Sequence, residues 1–205
     1  MKSKSKLFEA AGKNDLESIK RLLQQGADLH ADDDWALRLA AERGHLEVVK
    51  YLLEQGANLH AKNDEALLLA AGNGDLKKVR YLPRLRNPHP KSDYAVNLAA
   101  RNGHLEVVKY LLEWEANLHF NDDYSLQSAA YYGHLELVKH LLKRGANLHA
   151  ADDYSLHSAA VKGHLEVVKY LVEQGADLRA NEDDALQMAA KNGHLQVVKY
   201  LLERG

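Results

Sequence analysis

Cysteine is absent from the 205 residues, so disulfides and thiolate chemistry are excluded and a reducing, intracellular setting is the simpler one. Proline is nearly absent: there are three, all within Tyr81 to Tyr94. No apolar run approaches the roughly 18 residues of a membrane span. The basic start, MKSKSKLFEA, has no apolar stretch behind it, which argues against a secretory signal. Excess charge is also lacking. A net charge of −2 gives no general pull toward nucleic acid, and 46% hydrophobic with 27% charged residues argues against disorder. Catalytic signatures are missing: no G-x-S-x-G, no P-loop and no H-E-x-x-H occurs, and Gly72-Asn73-Gly74 marks a helix end rather than a phosphate cradle. No catalytic residue and no cofactor is expected.

What the chain has is repetition. The phrase GHLEVVKYLLEQGANLHA recurs, opening at Gly44, Gly74, Gly103, Gly133, Gly163 and Gly193. The spacing is 30 residues except from Gly74 to Gly103, where it is 29. A diverged copy, NDLESIKRLLQQGADLH, precedes them with Asn14 at the glycine position. A unit this short cannot bury a core alone, so stacked neighbours must supply it, and the chain is expected to be a solenoid.

Each unit reads as helix, tight turn, helix, loop. An aspartate recurs before the first helix, at Asp34, Asp64, Asp93, Asp123, Asp153 and Asp183, where its carboxylate is expected to cap the helix N-terminus for about 1 kcal/mol. Paired alanines such as Ala159 and Ala160 let the second helix approach, and Gly163 ends the first helix at positive φ. The second helix carries an apolar stripe, Leu165, Val168, Leu171 and Val172, with Glu166 and Lys169 three apart on its wet side. Gly175 stops it.

The block G-H-L-E-V-V-K-x-L-L-x-x-G-A resembles the ankyrin repeat over nearly the whole chain. The family's D-x-x-G-x-T-P-L-H-x-A-A segment stands here as A-D-D-Y-S-L-H-S-A-A, Ala151 to Ala160. Gly-x-Thr-Pro is missing, and the unit has 30 residues where ankyrin repeats have about 33. The resemblance implies an all-α solenoid of seven helix pairs whose projecting β-hairpin fingers are cut down to turns. It is closest to the short D-Y-A-L-x-x-A-A repeats abundant in giant viruses of amoebae, which would place the protein in host cytoplasm. The units are expected at 1–30, a capping repeat wetted by Ser18 and Arg21, then 31–60, 61–90, 91–120, 121–150, 151–180 and 181–205. In the last, Val197, Val198, Leu201 and Leu202 match interior repeats, so that end is either open to end-to-end association or continued in a longer chain.

Residues 76–92 depart from the pattern. Pro83 falls inside the second helix, where proline costs about 3 kcal/mol, and Arg86 replaces the usual glycine. The stretch holds six basic residues, Lys77, Lys78, Arg80, Arg84, Arg86 and Lys91, and no acid, leaving −8 for the rest of the chain. It reads first as a decayed repeat, next as a patch for an acidic peptide, phosphate or nucleic acid, and third as a hinge dividing 1–82 from 92–205.

Positions fixed among the units serve stacking, and those that vary are free for a partner. On the first helix the variable positions share one face, the face that lines the concave surface in ankyrin-like proteins. Partner contacts are therefore expected from Trp35, Arg38, Tyr94, Asn97, Arg101, Tyr124, Gln127, Tyr131, Tyr132, Tyr154 and His157, with Phe120 nearby. Tyrosines dominate its middle, and tyrosine is enriched at binding hot spots. Tyr51, Tyr110, Tyr170 and Tyr200, on the second helices, are expected to pack between repeats. Trp114-Glu115 replaces the usual Gln-Gly and reads as drift or a second contact point.

Nine of the twelve histidines form two ladders. His45, His104, His134, His164 and His194 follow the glycine; His30, His60, His119 and His149 follow Asn-Leu or Asp-Leu. In the first ladder Asp15 and Asp75 take the same place, which suits helix capping and bonds between repeats. Rungs about 10 Å apart, the spacing of packed helices, cannot share an ion at ~2 Å, so no metal is expected. Ladders of neutral acceptors would lose stability below about pH 6.

These readings make the chain a non-enzymatic, monomeric scaffold gripping one protein partner. The alternatives are polyanion binding through 77–91 and a consensus-like engineered array without a natural partner.

Overall fold

The computed structural model describes residues 2–58, 61–81, 92–114 and 116–205. The prolines, Arg84, Arg86, Lys91, His60, Glu115 and the expected hinge lie outside the described residues. Fourteen helices and no strand occur among the described residues, paired as the repeats require. They are α1 (Lys2–Gly12), α2 (Leu16–Gln24), α3 (Ala31–Arg43), α4 (Leu46–Glu54), α5 (Ala61–Gly72), α6 (Leu76–Tyr81), α7 (Ser92–Arg101), α8 (Leu105–Glu113), α9 (Tyr124–Tyr131), α10 (Leu135–Lys143), α11 (Tyr154–Lys162), α12 (Leu165–Glu173), α13 (Ala180–Lys191) and α14 (Leu195–Arg204). The chain forms two compact units, Met1–Ala95 and Val96–Gly205.

Within the first unit α1, α3 and α5 pack side by side, each against its own second helix. Within the second, α11 lies between α9 and α13, and α12 touches both α10 and α14. The alanine pairs sit at the centre of this packing: Ala129, Ala130, Ala159 and Ala160 are fully buried, beside Leu126, Leu156, Val138, Val168 and Leu171. Val167 is buried as well, although it lies off the expected stripe.

The turn between paired helices follows from its glycine. Gly133 has φ of 77°, its N–H reaches the Ala130 carbonyl at 3.2 Å, and the His134 N–H reaches the Ala129 carbonyl at 2.9 Å. This closes the helix with a left-handed cap that satisfies otherwise orphaned carbonyls. Gly163 and Gly193 repeat the pattern.

A short left-handed turn opens α3 and precedes α9 and α11. Asp32-Asp33-Asp34, Asn121-Asp122-Asp123 and Ala151-Asp152-Asp153 all have φ between 50° and 58°. Such a run costs ordinary residues roughly 1–2 kcal/mol each, and Asn and Asp tolerate it best. An Asx turn leads in: the Asn117 carboxamide oxygen accepts the His119 N–H at 3.0 Å, and Asn147 does the same for His149.

At α9 and α11 the recurring aspartate does not cap its helix. Neither Asp123 nor Asp153 accepts an N–H of the helix that follows. Left-handed backbone aims the buried carboxylate elsewhere. Asp153 Oδ1 accepts the Asp177 N–H from the next loop at 3.1 Å and lies 3.1 Å from His149 Nδ1. Asp34 joins Asn58 N and His30 Nδ1 in the same way, each at 3.1 Å. The aspartate is thus a bridge between repeats, and the second histidine ladder orients it.

The first ladder also differs from expectation. Asp15 does cap, accepting the Ser18 N–H at 3.0 Å, and Asp75 accepts the Lys78 N–H at 3.1 Å. The histidines make no such bond. They donate from Nε2 to carbonyls of the preceding repeat: His134 to Arg101 at 3.0 Å, His164 to Tyr131 at 3.0 Å and His194 to Val161 at 2.9 Å. An imidazole is long enough to cross the gap, and a carboxylate has no N–H to donate. The rings lie against the glycines of the preceding repeat, so a Cβ on Gly103, Gly133 or Gly163 would come within 2.7 Å of the histidine.

Candidate functional site

The first-helix face of residues 96–205 carries a cavity of about 260 Å³. Its lining comes from the end of α7 (Arg101), from α9 and its C-terminus (Tyr124, Gln127, Ser128, Tyr131, Tyr132) and from α11 (Tyr154, Ser158). The spacing explains the convergence. Tyr124, Gln127 and Tyr131 fall on one helical face, and Tyr154 and Ser158 repeat that face one unit later. Three of the four rings are open to solvent: Tyr124 and Tyr154 are 45% exposed and Tyr132 is 41% exposed.

The rings order one another. Tyr131 and Tyr132 meet edge to face with centroids 5.0 Å apart. Arg101 lies over Tyr132, its guanidinium carbon 5.5 Å from the ring centre, and the Lys162 ammonium lies over Tyr131 at 4.6 Å. The Tyr131 side chain, by hydrogen bond and charge, holds Lys162 above the ordinary lysine value. Tyr154 stacks on His157 at 4.9 Å. His157 Nδ1 in turn lies 2.6 Å from Asp184 Oδ2, within ion-pair distance.

Three residues expected on the open face are buried. Arg38 is 5% exposed, donating to the Asp32 and Asp33 carbonyls and pairing with Glu65. Gln127 is 8% exposed and donates to the Asp122 carbonyl at 2.7 Å. Asn97 is 9% exposed. The reason is the left-handed turn, whose carbonyls point back at the first helix and need donors. The signal was present: five of the six residues at this position, Arg38, Asn97, Gln127, His157 and Gln187, carry an N–H. Trp35 is half-buried, with Arg38 over its ring at 4.6 Å. Tyr94 is 48% exposed and belongs to the first unit, while Phe120 is half-buried in the second.

The basic patch is also altered. Lys78 is 2% exposed, its ammonium 2.9 Å from the Ala41 carbonyl and 2.8 Å from Asp75. It holds the preceding repeat where the histidine rung is missing, and Lys77 and Arg80 remain exposed. Burial works to raise the Asp75 pKa, but the Lys78 side chain and backbone outweigh it and the carboxyl is held below its ordinary value.

The second-helix tyrosines belong to the stack. Tyr110 is buried, and lysines of the preceding repeat lie over Tyr51 and Tyr170, at 6.0 and 5.9 Å. Trp114 packs on Tyr110 with centroids 5.7 Å apart. Among the described residues no group of three His, Asp or Glu is placed to hold a metal, and no helix is long and apolar enough to cross a membrane.

A family model described as ankyrin repeats in three copies matches residues 7–91, 67–152 and 126–205. Among solved structures, the crystal structure of the human ASB11 ankyrin repeat domain aligns with a TM-score of 0.81 at 28% identity, covering 97% of both chains. No curated protein matches significantly.

Proposed function

Since the chain belongs to the ankyrin repeat family, we propose that it is a protein-binding scaffold, without catalytic chemistry of its own, that holds one partner on the first-helix face of residues 96–205. Ankyrin repeats are protein–protein interaction modules in general. The observation that carries the choice of face is the tyrosine cavity. The second-helix tyrosines are used up in stacking, whereas Tyr124, Tyr132 and Tyr154 present ring and hydroxyl to solvent around a concavity. Rigid aromatic surface beside a concave pocket concentrates binding energy, because ordering two χ angles costs little for the area covered. The chain acts as a monomer inside the cell in this reading.

The test is Tyr131→Ala combined with Tyr132→Ala in the full chain. Capture of the partner is lost while helicity and melting temperature stay near wild type. Capture that survives the double substitution means the face is wrong. Polyanion binding through 77–91 is the weaker reading, since Lys78 is buried in the stack.

A further inference from the structure

We propose that the tyrosine cavity of residues 96–205 takes an acidic peptide segment, with an apolar or aromatic side chain of the partner entering between the rings and carboxylates beside it meeting Arg101 and Lys162. This rests on the reading that the first-helix face binds a protein, and adds the chemistry of the partner.

Three lysines on the second helices of the same unit are matched to a glutamate three residues earlier: Lys109 to Glu106 at 2.6 Å, Lys139 to Glu136 at 2.7 Å and Lys169 to Glu166 at 2.8 Å. Lys143 and Lys199 stand outside this pattern, with His140 and Gln196 three residues earlier. Arg101 and Lys162 have no carboxylate within ion-pair distance among the described residues. They lie against ring faces instead, which fixes where they lie and leaves open the Arg101 donors and those that Lys162 does not give to Tyr131. Their place in the last turns of α7 and α11 suits the helix dipole, which accounts for a cation there but not for its being left without an anion. The acidic groups of this face lie elsewhere: Asp122 and Asp152 precede the first helices, and Asp184 stands at His157.

A ring pair 5.0 Å apart with a cation over each member is short enough for one peptide to engage both. About five extended residues, at ~3.4 Å each, cover the distance. The cavity, at about 260 Å³, suits one large side chain rather than a folded surface. Carboxylates at the rim steer the approach and select the partner, and the ring-lined pocket supplies the contact area.

The test uses three fluorescein-labelled peptides with the full chain, read by anisotropy. One has a central Phe-Leu flanked by glutamates, the second has the same centre flanked by lysines, and the third has glutamates without Phe-Leu. The glutamate-flanked Phe-Leu peptide binds about tenfold or more tighter than either other peptide, and added salt weakens it. R101A with K162A removes that advantage at unchanged helicity and melting temperature, and R101E with K162E transfers the preference to the lysine peptide. Equal affinity for the first two peptides, equal binding of the peptide lacking Phe-Leu, or indifference to R101A/K162A overturns the proposal. If no peptide binds while Y131A/Y132A still abolishes capture of the partner, the acidic-peptide proposal falls and the scaffold reading stands. If capture survives Y131A/Y132A, the face itself is wrong.

Discussion

Replacing Asp153 separates a bridge between repeats from a helix cap. Its carboxylate is 5% exposed and accepts the Asp177 N–H of the following loop at 3.1 Å, with His149 Nδ1 also 3.1 Å away. A hydrogen bond to a charged group contributes about 1.5–3 kcal/mol, and its loss leaves a part-buried N–H without an acceptor. The backbone adds to this, because alanine and serine lack the tolerance of aspartate for the positive φ, 57°, of this position. Asp153→Ala should therefore cost about 2–3 kcal/mol. Asp153→Asn keeps an acceptor oxygen and the tolerance for positive φ, and should cost about half of that. Asp153→Ser is the discriminating variant. Serine caps helices about as well as aspartate, but its hydroxyl is shorter and makes no charged bond. It should behave like alanine. Urea unfolding followed by circular dichroism and by the fluorescence of Trp114, in the same unit, gives the free energies. A serine variant near wild type, or an alanine variant within about 0.5 kcal/mol of it, would refute the bridge.

Gly133→Ala and Gly193→Ala should differ although both sites have positive φ, at 77° and 76°. Gly133 also carries the His164 ring, 2.7 Å from an added Cβ, while nothing lies within 4 Å of Gly193. Thermal unfolding should show Gly133→Ala the costlier by about 1–3 kcal/mol, and equal costs would contradict the ring contact. Lys78→Met should destabilise the first unit by about 1–3 kcal/mol, because it strands Asp75 and the Ala41 carbonyl; a neutral effect in urea unfolding would return Lys78 to the surface. His140 stands where five other repeats have tyrosine, and burial, then Lys109 and Arg144, holds its pKa below the ordinary histidine value. Its folded state binds fewer protons than the unfolded one. The stability it contributes is present above about pH 6.5 and is lost as pH falls from there toward its folded pKa. Burial depresses His164 too. Melting temperature should drop between pH 7.5 and 5, and His140→Tyr should flatten part of that drop; an unchanged slope would show that His140 does not set it.

Periodicity made the helix pairs, the glycine caps and the tyrosine-rich face readable from sequence, because each depends on local pattern. What stayed hidden depends on pairs far apart in the chain. The Gly133–His164 contact joins residues in different repeats, and both already had sufficient local explanations, a helix end and a helix start. Asp153 had one as well, and only the left-handed turn redirects its carboxylate to Asp177. Arg38 and Gln127 looked free because their identities vary, yet any side chain with an N–H of the right reach serves the turn carbonyls. Variation among repeats marks tolerance for exchange, which includes a structural task that several side chains can perform.

The central claim, that this protein grips a partner through the tyrosine face of residues 96–205, is tested most directly by hydrogen exchange on the full chain with and without its captured partner. Slowed exchange in the α9 and α11 segments, centred on Tyr124 to Tyr132 and Tyr154 to Ser158, is the expected result. Slowing confined to α10, α12 and α14, with the first helices unchanged, would contradict it.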